Sequence, residues 1–263
     1  MLDTGSGRPL LFVHGNPTWS FYWRTLVGPL SADFRCVAPD HLGCGLSDRV
    51  EGTVCLADHV ANLVSVIDAL DLRDATLIVH DWGGPIGFGA LLQRRDRFRN
   101  AVAFNTSLFH GPVPLEIRLC RWPIVGPAVV RGLNGFVRAG QLRGISDRKR
   151  MGNHVGDGYL LPWGSWSDRA AVQQFVDDIP LEIHHRTRPV IDALDAGTAT
   201  LTDLPLCLIW GMKDFCFTPH FLAGMRKRFP HAEVHEFADA AHYVVEDAHE
   251  RIHPIIRSFL QNN

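Results

Sequence analysis

The stretch Leu77-Ile78-Val79-His80-Asp81-Trp82-Gly83-Gly84 decides the fold. An apolar run with β-branched residues stops at an aspartate, and two glycines lead into a helix-like segment. This is the shape of a nucleophile elbow. In its G-x-S-x-G form, a sharp strand-to-helix turn lifts the nucleophile above a sheet while small neighbours let the backbone pass. Here a carboxylate stands in place of the hydroxyl. A carboxylate attacks an sp3 carbon and forms an ester that water can cleave, so the residue type points to displacement at alkyl carbon rather than simple acyl transfer. The plainer alternative is a strand ending in a polar turn, with Asp81 capping the next helix.

Outward from the elbow, short apolar runs alternate with longer amphipathic stretches. Leu10–Val13, Cys36–Ala38, Leu77–Val79, Ala101–Phe104, Leu206–Trp210 and a weaker Glu233–Phe237 are of strand length. Between the second and third runs, Leu56, Val60, Leu63, Val64, Ile67 and Leu70 recur at helical steps. Strands apolar on both faces and separated by helices predict an α/β protein with a mostly parallel, doubly wound sheet. The alternation fails between about Ser107 and Arg188, where glycines, prolines, arginines and tryptophans interrupt helix-like stretches. That segment reads as a helical cap over residues 107–188, inserted between two parts of one core, 1–106 and 189–263. It leaves from the carboxyl edge of the sheet, where open α/β folds bind ligands. The alternative is an independent second domain.

Composition sets wide limits. The chain has 263 residues, 46% hydrophobic and 21% charged, and a formal net charge of -2. It is long enough to bury a sizeable core. So small a net charge gives no long-range attraction to nucleic acid or to an anionic membrane. Six cysteines show neither a C-x-x-C pair nor zinc-type spacing and read as buried hydrophobes in a reducing compartment, with no metal expected. The N-terminus has no basic region leading into an apolar stretch, and no run reaches the roughly 18 to 20 apolar residues of a membrane helix. A cytoplasmic protein without a membrane span or cofactor is the expectation.

Two further loops complete the pattern: His14-Gly15-Asn16-Pro17-Thr18-Trp19-Ser20 after the first strand and Pro39-Asp40-His41-Leu42-Gly43-Cys44-Gly45-Leu46-Ser47-Asp48 after the second. With the elbow they resemble the α/β-hydrolase fold, and His14-Gly15-Asn16-Pro17 together with Asp81-Trp82-Gly83-Gly84 resembles the haloalkane dehalogenase family. The resemblance extends over essentially the whole chain. It assigns halide binding to the Trp82 indole N–H and the Asn16 side-chain amide, and oxyanion binding to the backbone N–H groups of the same two residues. Donors of this kind stabilise an anion in a low-dielectric pocket. The plain alternatives are a turn former for Asn16 and a core aromatic for Trp82.

Ester hydrolysis needs a base near neutrality, which suits histidine. Of fourteen histidines, His242 in Ala240-Ala241-His242-Tyr243 occupies the late position expected from the order nucleophile, acid, histidine. His231, His235, His249 and His253 receive no role. Asp214, in Gly211-Met212-Lys213-Asp214, follows the Leu206–Trp210 strand and matches one of the family's two acid positions, with a helix N-cap as its alternative. At the other position stands Asn105, which cannot act as an acid.

This combination resembles the less studied branch of the dehalogenases, with further markers in Asn105-Thr106, Trp163-Gly164-Ser165-Trp166 and Phe175–Leu181. That branch overlaps with β-lactone decarboxylases of long-chain olefin biosynthesis, so the expected partner is a small apolar substrate, haloalkane or β-lactone, with halide ion released in the first case. An epoxide hydrolase would need two cap tyrosines, and 107–188 contains only Tyr159. A fluoroacetate dehalogenase would need arginines after the nucleophile, where Trp82-Gly83-Gly84-Pro85-Ile86 stands. A ligand receptor on a hydrolase fold is the hypothesis from another class; the complete set of catalytic residue types argues against it.

Cap residues Leu108, Phe109, Leu115, Ile117, Leu119, Trp122, Ile124, Val125, Val129, Val130, Leu133 and Phe136 are expected to line the pocket or fill the cap's underside. Cap arginines 118, 121, 131, 138, 143, 148 and 150 read as a solvated face, with a partner surface as the alternative. The family begins its sheet with an antiparallel hairpin, but nine residues precede Leu10 here. One or more edge strands are therefore expected to be missing, and an open edge would favour homo-oligomers.

Overall fold

Side chains alternate strictly along the central strands. Leu11 and Val13, Leu77 and Val79, Ala101 and Ala103, and Leu206, Leu208 and Trp210 point to one face, while Leu10 and Phe12, Ile78, Val102 and Phe104, and Cys207 and Ile209 point to the other. Both sets are buried, which is why these strands read as continuous apolar runs. The computed structural model describes residues 1–263, apart from the side chain of Asn153. Its seven strands are β1 (Leu2–Thr4), β2 (Pro9–Val13), β3 (Arg35–Ala38), β4 (Ala75–His80), β5 (Phe98–Phe104), β6 (Leu206–Gly211) and β7 (Glu233–Phe237), in the order β1-β3-β2-β4-β5-β6-β7. β1 is antiparallel to β3, and the remaining pairs are parallel. The chain thus has the mostly parallel α/β-hydrolase sheet.

Helices cover both faces. α1 (Arg24–Leu30) buries Leu26, Val27 and Leu30 on the face that carries Phe12. α2 (Leu56–Ala69) lays Leu56, Val60, Leu63, Val64 and Ile67 against the other face, the stripe its spacing predicts. α3 (Gly83–Gln93) leaves the elbow directly after β4 and buries Ile86, Phe88 and Leu91 beside α2. Between β5 and β6 the chain forms α4 (Leu115–Leu119), α5 (Gly135–Arg143), α6 (Asn153–Leu160), α7 (Ala170–Asp177) and α8 (Arg188–Gly197), with no strand among the described residues. α9 (Pro219–Arg228) follows β6, and α10 (Val244–Asn262), whose helical geometry breaks at Ala248, closes the chain on the α1 face.

Several expectations need correction. Leu2–Thr4 is an antiparallel edge strand in a stretch where no strand is recognisable from sequence; its Leu-Asp-Thr carries no apolar run and is held by pairing with β3. Between β5 and β6, Leu115, Trp122, Ile124 and Leu133 face outward rather than into a pocket or core, at 66, 58, 84 and 72% exposure. The six cysteines are unpaired, with Cys36, Cys44 and Cys207 buried and Cys55, Cys120 and Cys216 partly exposed. No helix among the described residues is long and apolar enough to cross a membrane.

The elbow is tightly packed. A Cβ on Gly83 would lie 2.0 Å from the Val13 carbonyl oxygen, and one on Gly84 would lie 1.9 Å from Thr106 Oγ1. Gly28, within α1, has open space around its missing Cβ. Urea unfolding should therefore find Gly83→Ala destabilised by about 2 kcal/mol or more, through overpacking against backbone. Gly28→Ala should be stabilised by about 0.5 to 1 kcal/mol, the helix-propensity gain. Equal effects at the two positions would contradict the packing argument.

Candidate active site

β4 delivers Asp81 to the carboxyl edge of the sheet, and the turn into α3 holds it at φ +53°. A positive φ at a non-glycine residue is uncommon and costs on the order of 1 to 3 kcal/mol, retained only when the surroundings enforce it. They do so through the backbone on both sides: Asp81 N–H donates to Asn105 O at 3.1 Å, and Asp81 O accepts from Thr106 Oγ1 at 2.6 Å and from Gly84 N–H at 2.9 Å. The helix N-cap is Trp82, so Asp81 is not the capping residue of the plainer reading.

The carboxylate lies over the β2 loop. Asp81 Oδ1 accepts the backbone N–H of Asn16 at 2.6 Å, and the N–H of Trp82 also reaches the carboxyl group. Gly15 makes this approach sterically feasible, because a Cβ there would stand 2.2 Å from Asp81 Oδ1. Across the site, Asp81 Oδ2 faces His242 Nε2 at 3.8 Å, and His242 Nδ1–H donates to Asp214 Oδ2 at 2.8 Å. Asp214 Oδ1 accepts the N–H groups of Cys216 and Phe217, whereas the α9 N-cap is Thr218, so Asp214 is a loop residue rather than a helix cap.

The five residues singled out from sequence, Asp81, His242, Asp214, Asn16 and Trp82, converge on one place, and all but Asp214 line a single cavity of about 630 Å³. The Trp82 indole N–H has no protein acceptor among the described residues. Asn16 differs from its expected pose: its Nδ2 points to Val172 O of α7 at 3.4 Å and its Oδ1 is buried without a partner. Apolar side chains dominate the walls, with Phe109, Ile117, Leu119, Val125, Val129 and Phe136 from the cap segment and Phe215, Phe217 and Phe221 from the β6 side. Leu108 and Val130 are buried in the core cluster instead. Of the cap arginines, Arg121 pairs with Glu182, Arg143 with Glu116 and Arg150 with Glu250, while Arg131 stacks on Trp166.

Two supporting residues have roles that residue type alone did not predict. Asn105 donates from Nδ2 to Asp214 Oδ2 at 2.9 Å and accepts Gly211 N–H on Oδ1, so it fixes the acid instead of replacing it. His80, fully buried next to Asp81 and stacked on Tyr22, donates from Nε2 to the His242 carbonyl oxygen at 2.9 Å. Burial holds its pKa well below the ordinary value, so it stays a neutral donor.

Electrostatics divides the pair. Burial pushes Asp81 up to about 6, against the opposing pull of the His242 charge and the Trp82 and Asn16 donors. Burial lowers His242, but the Asp214 charge and hydrogen bond, with Asp81, outweigh it and raise the imidazole above its ordinary value.

An α/β-hydrolase fold family model matches residues 8–120. A cis-3-alkyl-4-alkyloxetan-2-one decarboxylase of Shewanella oneidensis is 38% identical over 267 residues, covering 98% of this chain and 84% of the relative. Haloalkane dehalogenase 2 of Mycobacterium tuberculosis is 35% identical over 257 residues, covering 95% and 87%. Among solved structures, a haloalkane dehalogenase from Bradyrhizobium elkani superposes with a TM-score of 0.86 at 25% identity, covering 99% of this chain and 94% of that one. The chain belongs to the α/β-hydrolase family. Within that family it is an enzyme related to both the haloalkane dehalogenases and the β-lactone decarboxylases.

The raised Asp81 pKa has a consequence for stability. Below about pH 4 the group is protonated in both folded and unfolded chains; between pH 4 and 6 the unfolded chain ionises first, so stability falls as pH rises through this window. Asp81→Asn should therefore stabilise the fold by about 1 to 3 kcal/mol at pH 7.5, with the gain shrinking as pH falls from 6 to 4. Thermal melts of the two proteins across pH 4 to 8 check this. A gain that is the same at every pH would remove Asp81 ionisation as its cause.

Proposed function

We propose that Asp81 displaces an anionic leaving group from an sp3 carbon of an apolar substrate bound between core and cap. The observation that carries this reading is a buried carboxylate facing His242 Nε2 on the wall of an apolar cavity of about 630 Å³. Trp82 N–H stabilises the departing anion, and the backbone N–H groups of Asn16 and Trp82 stand ready for an oxyanion at the Asp81 carboxyl. Where an ester on Asp81 has to be hydrolysed, His242, oriented by Asp214, takes the proton of the attacking water.

A cis-3,4-dialkyl β-lactone suits this site best. The cavity, about 630 Å³, lies near the middle of the range for drug-sized ligands, and each Å² of alkyl chain buried there contributes roughly 25 cal/mol. Attack of Asp81 on C4 breaks its bond to the ring oxygen and leaves a carboxylate on C3. That carboxylate then departs as carbon dioxide; its bonding pair forms the C3–C4 double bond, and the C4 bond to Asp81 breaks to restore the free aspartate. No water is consumed on this route. The 38% identity to a decarboxylase of this kind supports it. Haloalkane dehalogenation is the second reading, favoured by the Trp82 N–H left without a protein acceptor in an apolar wall. There the ester must be hydrolysed, so His242 is indispensable.

The two readings separate in one experiment. Purified protein is offered a long-chain cis-dialkyl β-lactone and 1-bromobutane, with release of carbon dioxide and of bromide measured. Asp81→Asn should lose at least about 10³-fold of either activity, the scale expected for removing a nucleophile. His242→Ala should accumulate an Asp81 ester from the haloalkane, visible as added mass, while still evolving carbon dioxide from the lactone. Turnover of either substrate at the parent rate by Asp81→Asn would sink the mechanism.

A further inference from the structure

α10 presents two buried carboxylates in its first turn, Glu246 and Asp247. Glu246 has side-chain partners: Arg24 at 2.6 and 2.9 Å and the Tyr159 hydroxyl. Asp247 has none. Its oxygens accept only backbone N–H groups, and these come from two segments a hundred residues apart. Ser146 N–H reaches Oδ1 and Oδ2 at 3.1 and 3.0 Å, and Asp147 N–H reaches Oδ1 at 3.0 Å, both from the cap segment just beyond α5. Ala241 N–H, adjacent to His242, reaches Oδ2 at 2.8 Å.

The same two segments meet again one step along. Tyr243 N–H donates to Gly144 O at 2.5 Å, so the residues on both sides of His242 are tied to 144–147. Contact here is close: a Cβ on Gly140 would stand 2.6 Å from the Tyr243 hydroxyl. The His242 backbone itself is tied to the core, through His80 Nε2 to its carbonyl oxygen. The backbone of the base is therefore held from below by the sheet and from above by the cap. Both chain ends of the upper tie converge on one carboxylate, whose charge strengthens each bond.

We infer that Asp247 is a positioning residue that couples the cap to His242, so that seating the 144–147 segment and aligning the imidazole are one event. Opening of the cap for substrate entry or product exit then loosens the base, and only the closed enzyme has His242 in register with Asp81 and Asp214. This inference rests on the roles given above to Asp81 and His242. A merely structural Asp247 would lower global stability without linking those two segments.

Amide hydrogen exchange of the intact protein tests the link without any substrate. Residues 144–147 and 240–243 should share one protection level, within about threefold, because they open together. Asp247→Asn turns one acceptor into a donor facing N–H groups; it should raise exchange in both segments by about tenfold or more while strands β4 to β6 keep their protection. In parallel, the rate of ester formation on Asp81 from 1-bromobutane should stay within about threefold of the parent. The rate of ester hydrolysis should fall by about tenfold or more, as expected when a base is misplaced by a fraction of an ångström to one ångström. If the cap segment of the parent exchanges more than about tenfold faster than 240–243, or if Asp247→Asn loosens 144–147 alone, the coupling is refuted. Should Asp247→Asn fail to fold, the exchange pattern of the parent decides by itself. An absence of ester from 1-bromobutane on His242→Ala would count against the haloalkane reading and leaves the exchange result to judge Asp247.

Discussion

Everything in this molecule depends on one turn that brings a carboxylate out of the sheet and keeps it dry. Asp81 stands at positive φ because the strand behind it is buried on both faces and the helix in front has no Cβ at its first two positions. Remove either condition and the turn relaxes toward an ordinary loop, in which the carboxyl group would reach water. The strain at Asp81 and its elevated pKa thus have one origin, a chain packed too closely to let the side chain escape. The surrounding architecture reads as the means of enforcing that. The loop after β2 supplies the Asn16 N–H, and the segment after β5 fixes the flanking backbone through Asn105 and Thr106.

How much of this was legible in the sequence depends on where each signal resides. The central strands were visible because burial on both faces writes itself as an unbroken apolar run, and α2 because its stripe repeats at helical steps. Asp81 was singled out from local order and His242 from its late place in the chain order, whereas Asn16, Trp82 and Asp214 came from the resemblance to the haloalkane dehalogenases; the structure brings these five together. β1 was not, since Leu2-Asp3-Thr4 owes its conformation to the backbone of β3 and not to its own side chains. The outward orientation of Leu115, Trp122, Ile124 and Leu133 was hidden for another reason: in short, irregular helices, apolarity carries no phase from which a buried face can be read. Asp247 left no trace either, because its partners are backbone N–H groups, which every residue but proline has.

The environment of the site also explains why Asn105 is compatible with the acid on the neighbouring strand. The carboxyl ends of β5 and β6 lie side by side, so residues 105 and 214 both reach His242's far side. Two acids there would face each other in a buried space, and one would be forced to take a proton. An amide at 105 avoids that conflict and adds a donor to Asp214 Oδ2, the oxygen that also accepts His242 Nδ1–H. Holding Asp214 by two donors on each oxygen fixes the plane of the imidazole, and with it the direction in which Nε2 faces Asp81.

That saturation is the rule for the buried acids here, and the exception locates the chemistry. Asp40 accepts Ser20 and Leu46 N–H groups, one on each oxygen; Asp178 accepts Leu56 N–H on one and Thr187 and Arg186 on the other; Asp214, Glu246 and Asp247 are likewise met on both. A carboxylate so surrounded is held in place and screened from attack on anything else. Asp81 is treated differently. Its donors are backbone groups of the elbow and its neighbouring loop, no side chain donates to it among the described residues, and Oδ2 faces an imidazole at 3.8 Å, beyond a hydrogen bond. Burial without full satisfaction makes a group basic and nucleophilic, which is the opposite of what stability would select. Of the six buried acids, five are held on both oxygens, Asp214 and Asp247 among them to fix the base, and one is left with an oxygen free to form a bond.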